Sequence, residues 1–132
     1  RQFARIETLV DFRRLMEALA LRSGQLLNQS EVSRDCALPQ ATVNRHLNIL
    51  EASCLAFRLP AFARNRTKRL IKSPKFYWFD PGLAAHLAGC HDIESLRRAR
   101  EYGGLIETLV LLHLRVLAQS SSPGPVFIIG AP

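Results

Sequence analysis

No stretch of this 132-residue sequence approaches the roughly 18 apolar residues a membrane span needs, so no membrane partner is expected. The opening residues, RQFARIETLV, lack an apolar core with a small-residue cleavage site, so no secretory signal peptide is expected. The chain does not begin with Met and is expected to be a piece of a longer protein. Cysteine is scarce and odd in number: Cys36, Cys54 and Cys90 suit free thiols in a reducing cytoplasm, not a disulfide framework. No G-x-x-x-x-G-K-[ST] phosphate loop occurs, so this chain alone should not hydrolyse ATP, and no cofactor is expected. Nothing resembles a nucleophile elbow. Cys54, beside a strand-like run, reads as core. His86, Cys90 and His91 lie close together, but without a fourth ligand or a usual metal spacing. Neither a metal site nor catalysis is expected.

What is present is ordinary globular composition with a strong bias of charge. Hydrophobic residues make up 48% and charged residues 22%, and the length is enough for one domain and the start of a second. The net charge of +7 and pI near 10.2 favour an anionic partner: nucleic acid, a membrane surface, or an acidic protein domain.

Residues Asn28 to Leu50 read as two short helices joined by a tight turn. Asn28 can cap the first by accepting from the Glu31 N–H, and Glu31 can reach back as in a capping box. Val32 and Cys36 share a face. Cys36-Ala37-Leu38-Pro39 forms the turn, with Pro39 as first residue of the second helix. That helix, from about Gln40 to Glu51, places Val43, Leu47 and Leu50 on one side and Ala41, Asn44, Arg45 and Asn48 on the other. An inner apolar stripe opposite Arg and Asn is what a recognition helix needs: the stripe docks it, and the outer side chains reach phosphates and base edges. Gln40, Asn44, Arg45 and Asn48 are its candidate DNA contacts. The same pattern also fits an ordinary pair of core helices whose polar face meets only water.

Before this pair, Thr8–Arg22 reads as a helix opened by a Thr8/Asp11 capping box, with Leu9, Phe12, Leu15, Met16 and Leu19 as its buried stripe and Gly24 as its stop. Leu26 and Leu27 suit a short extended piece. After Leu50 the apolar period changes towards 2: Leu55, Phe57 and Leu59 alternate, and Pro60 argues for an edge strand or a bulge. Leu70-Ile71 and Phe76 to Phe79 read as the returning strand. The hairpin tip, Arg64 to Arg69, belongs to a run from Arg58 to Lys75 in which every charged residue is basic. Arg64, Arg66, Lys68, Arg69 and Lys72 are the candidate phosphate contacts. The same cluster suits solubility or an acidic protein surface. The aromatic run offers either stacking platforms or core packing. Three helices followed by a hairpin make an α+β, mostly helical winged helix-turn-helix.

Asp80 can cap a short helix starting at Pro81, and Gly89 ends it. Gly103-Gly104 reads as a break, and Leu105 to Leu117 as a helix of buried character. Val126 to Ile129 looks like a core strand, read as part of a truncated unit. The expected division is a winged helix over residues 1–89 and a helical segment with a partial strand over 90–132.

Three segments, LALRSGQLLNQSEVSRDCALPQATVNRHLNILEAS, KRLIKSPKFYWFDPGLAAHLAG and GGLIETLVLLHL, resemble the C-terminal region of a family of prokaryotic AAA-type predicted ATPases. The likeness runs over about Phe12 to Leu117. In that family a domain beginning as a winged helix and continuing into a restriction-endonuclease-like fold follows the ATPase core. This chain departs at Asp80-Pro81-Gly82-Leu83, where the family usually has Asp-Thr-Gly-Leu. Glu107 falls at the family's Glu in the first helix of the nuclease-like part, but VFIIGAP does not match the Glu-Val-Asp strand expected later. The resemblance therefore implies an accessory module of an ATPase, binding double-stranded DNA or docking the ATPase core or another protein. A degenerate nuclease-like fragment is a further reading.

Overall fold

The computed structural model describes residues 2–62, 64, 65, 67 and 73–121, with side chains from Thr8 onward. The elements run α1 (Gln2–Ala20), β1 (Gln25–Leu26), α2 (Gln29–Cys36), α3 (Gln40–Ala52), β2 (Ala56–Leu59), β3 (Lys75–Trp78), α4 (Pro81–Leu87), α5 (Ile93–Arg98) and α6 (Tyr102–Ser121). The sheet is antiparallel in the order β1-β3-β2. Three helices with β1 after the first, closed by a β2–β3 hairpin, are the winged helix expected. The expected strands at Leu70-Ile71 and Val126–Ile129 lie outside the described residues.

Helix α1 departs from expectation at its start. It reaches back to Gln2, so Thr8 and Asp11 sit inside it and cannot form an N-terminal capping box. QFARIE contains no Gly or Pro to stop the helix from extending. Thr8, Leu9 and Val10 are exposed, and Asp11 and Phe12 are half-buried. Leu15 and Leu19 are fully buried, whereas Leu9 is 67% exposed and does not belong to the core stripe. Gly24 closes the segment at φ +82°.

Helix α2 begins as read: Asn28 accepts from the Glu31 N–H at 3.2 Å. The Glu31 carboxylate turns to Arg22, 3.7 Å away, instead of completing a capping box. At the other end, Arg14 donates to the Cys36 carbonyl at 3.1 Å, satisfying an acceptor left open by the end of the helix. Pro39 is the N-cap of α3, not its first residue. Its ψ of 146° is extended, and its carbonyl accepts from the Thr42 and Val43 N–H groups. Cys54, expected in the core, is exposed at a left-handed φ of 57° in the turn out of α3.

Strands β2 and β3 are covered on both faces, so their burial does not alternate, whereas Gln25 and Leu26 of β1 are exposed. Ala56, Phe76 and Trp78 join Leu15, Leu19, Val43, Leu47 and Leu50 in the helical core. Phe57, Leu59 and Tyr77 pack on the opposite face with Leu111 of α6. The run Phe76–Trp78 is thus core and unavailable for base stacking. Asp80 caps α4 by accepting from the Gly82 and Leu83 N–H groups at 2.9 and 3.1 Å.

Gly103-Gly104 does not break the chain. Both glycines lie in the first turn of α6. A Cβ on Gly104 would stand 2.1 Å from the Ser23 carbonyl oxygen, so Gly is required there for close approach of backbones. A buried polar relay follows from that approach. Thr108 donates to the Gly104 carbonyl at 2.7 Å, which leaves Ser23 to donate to Thr108 at 2.8 Å. Ser23 in turn accepts from the Trp78 N–H at 3.2 Å. Only Leu105, Thr108 and Leu111 of α6 are buried. Ile106, Leu109, Val110, Leu114, Val116 and Leu117 are exposed, from 43% to 63%, which corrects the expected buried character. None of the described helices is long and apolar enough to cross a membrane.

Candidate nucleic-acid interface

The inner face of α3 buries Val43, His46, Leu47 and Leu50, as the 3.6-residue period requires. Gln40, Asn44, Arg45 and Asn48 emerge on its exposed side. Asn44 and Arg45 make no side-chain hydrogen bond or ion pair with the described residues. Their polar atoms are free to engage a ligand.

Gln40 and Asn48 are held. Gln40 donates to Ser30 Oγ at 3.0 Å, tying the start of α3 to α2. Asn48 accepts from Arg58 Nη2 at 2.9 Å. The strand's own alternation explains this second link: Arg58 lies on the same face of β2 as Ala56, the face turned to α3. Its Nε donates to Glu51.

At the hairpin tip, Arg64 is exposed, and Asn65 accepts from the Thr67 N–H at 2.9 Å, a local side-chain turn. Arg66, Lys68, Arg69 and Lys72 lie outside the described residues. Two cations of the basic run are already matched inside the fold, Arg58 by Glu51 and Lys75 by Glu107 at 2.7 Å. The charge open to an anionic ligand is smaller than the run suggests.

Glu107 also accepts from the Tyr77 hydroxyl at 2.7 Å. Burial raises the carboxyl pKa, but the hydrogen bonds from Lys75 and Tyr77 outweigh it and hold it below the usual value. Burial, then the bond to Glu107, pushes the Tyr77 phenol well above its usual range. Glu107 thus clamps α6 to β3. Farther along α6, the Arg115 guanidinium lies over the Phe57 ring, 4.1 Å from its centroid.

His46 is 4% exposed, with Nδ1 unpartnered among the described residues and its ring edge-on to Phe12 at 5.1 Å. Burial and the nearby Arg45 cation lower its pKa, against an opposing pull from Asp11. The His86 and His91 rings pack edge to face at 5.2 Å, and no group of three metal-ligating side chains is gathered among the described residues.

Reading the residues alone missed Arg58 as the partner of Asn48. Strand parity places Arg58 on the right face, but which helix lies there is a tertiary matter.

Fold and site together define a winged helix-turn-helix with a polar, partly cationic outer face on its third helix. The chain belongs to a family described as a domain of unknown function, DUF8612, whose model matches residues 1–94. It is 33% identical over 115 residues to the Uncharacterized protein Mb2031c of Mycobacterium bovis and, equally, to the Uncharacterized protein Rv2008c of Mycobacterium tuberculosis. Each match takes in 87% of this chain and 25% of the relative, so the chain spans about a quarter of their length. The crystal structure of a MarR-family transcriptional regulator from Silicibacter pomeroyi aligns with 86% of this chain and 75% of its own, at a TM-score of 0.38 and 19% identity.

Proposed function

We propose that the chain is a duplex-DNA-binding module, with α3 in the major groove and the β2–β3 connection on flanking phosphates. The observation that carries this is the outer face of α3, where Asn44 and Arg45 stand exposed between the anchored Gln40 and Asn48. Polar side chains at this spacing suit base edges and phosphates together. The +7 charge supports the same reading through counterion release. In the longer protein, the module serves as a regulatory accessory to an AAA-type ATPase core. It acts by binding rather than by catalysis, in the cytoplasm.

A second reading, a module that docks the ATPase to a protein partner, is favoured by the exposed aliphatic face of α6. A titration of labelled duplex at two salt concentrations separates the two. Under the DNA reading, Arg66→Ala with Lys68→Ala weakens binding to every sequence and flattens the salt dependence, whereas Arg45→Ala alters preference among sequences. Affinity no tighter than about 10⁻⁴ M at low salt would be weaker than ordinary non-specific association and would favour protein docking.

A further inference from the structure

We infer that Asn48 reads DNA as a hydrogen-bond donor under the control of Arg58, selecting guanine over adenine at the base pair it meets. This rests on the DNA-binding reading above.

The guanidinium of Arg58 bridges two side chains three residues apart on α3: Nε donates to Glu51 and Nη2 to Asn48 Oδ1 at 2.9 Å. A guanidinium has N–H donors and no acceptor, so the Asn48 atom facing it must be the oxygen. That choice also orients the amide, leaving the Nδ2 amino group as the part free to meet a ligand. Holding the planar fork at two points limits its rotation, and with it the rotation of Asn48.

The usual asparagine–adenine contact needs both edges of the amide, with oxygen accepting from adenine N6 and nitrogen donating to N7. Here Arg58 of β2 already takes one of the oxygen's two acceptor positions and sets a cation beside the other. Adenine's amino group would meet another donor. Guanine O6 and N7, both acceptors, would instead meet the free amino group. Arg58 is therefore a positioning residue: it lies on the hairpin strand, yet its effect appears in base choice by the recognition helix.

The test uses the unaltered chain and a pool of randomised duplexes. The base pair read by Asn48 is the one whose preference disappears in Asn48→Ala. At that pair the unaltered chain is expected to favour G·C over A·T by about tenfold. Arg58→Met should reduce that ratio to about twofold while preferences elsewhere in the site persist, which simple destabilisation would not do. Asn48→Asp keeps an acceptor for Arg58 but removes the amino donor, and should lose the preference in a folded chain. An A·T preference at that pair, a ratio that Arg58→Met leaves unmoved, or a preference retained in Asn48→Asp would each overturn the inference while leaving DNA binding intact. Absence of duplex binding by the unaltered chain would overturn the DNA reading and this inference with it.

Discussion

Helices α3 and α6 present opposite characters to solvent. Helix α3 buries Val43, Leu47 and Leu50 and shows water Gln40, Asn44, Arg45 and Asn48. Helix α6 buries Leu105, Thr108 and Leu111 and shows water a row of aliphatic side chains. The first is held by apolar packing and leaves Asn44 and Arg45 of its polar side without a side-chain partner among the described residues. The second is held largely by a close glycine contact, the Ser23–Thr108 bond and the Glu107 clamp, with much of its apolar surface uncovered. An apolar residue on a helix shows what could be buried; only the neighbour that arrives decides what is.

The sharpest way to break this contrast is a matched pair of truncations. Leu47→Ala empties a fully buried site on α3 and should cost about 3 kcal/mol. Leu117→Ala on α6, at 63% exposure, should stay within about 0.5 kcal/mol of the unaltered chain. Urea unfolding of both measures the difference, and equal losses would mean that α6 is buried in solution.

A smaller effect is expected where α6 is seated. Gly104→Ala places a methyl against the Ser23 carbonyl. Because both partners are backbone, the helix must shift, at a cost of about 2 kcal/mol. Thermal unfolding reads the loss. Tyr77 absorbance should report weakening of the Glu107 clamp, and an unchanged melting curve would show that the close approach is not maintained.

The mildest test is pH. The folded-state pKa of His46 lies below its ordinary 6.5, chiefly through burial, then through Arg45. The unfolded chain therefore binds the proton first, and stability falls as pH drops from about 6.5 towards the folded value. Glu107, also held low, loses its contribution only at more acid pH, below the ordinary 4.5. Stability curves between pH 5 and 7 should flatten in His46→Leu. An unchanged slope would assign the dependence to another group.

Much of α3 was legible because its cues are local. Asn28 caps α2 through a bond three residues away, Asp80 caps α4 over two and three, and the Val43–Leu47–Leu50 stripe follows from helical period alone. The turn from helical to strand period after Leu50 likewise marked the hairpin. The start of α1 was misread because Thr8 and Asp11 have capping chemistry, but residues before them also favour helix, and a cap acts only where a helix begins.

The tertiary structure decided the features that join distant parts of the chain. Gly103-Gly104 has the composition of a break, yet Gly104 is the point where α6 meets Ser23, 81 residues earlier by number. Arg58 carries the charge of a phosphate contact, yet it is engaged by Glu51 and Asn48. Glu107 stands on a helix rich in aliphatic residues, yet it takes its bonds from Lys75 and Tyr77 on β3. By itself the sequence determined α2, α3 and α4, the Asn28 and Asp80 caps and the polar face of α3, because those depend on neighbours within one turn. Which face of α6 lies against the sheet, and which cations remain free, depended on how surfaces from separate elements met, because burial and ion pairing act through space.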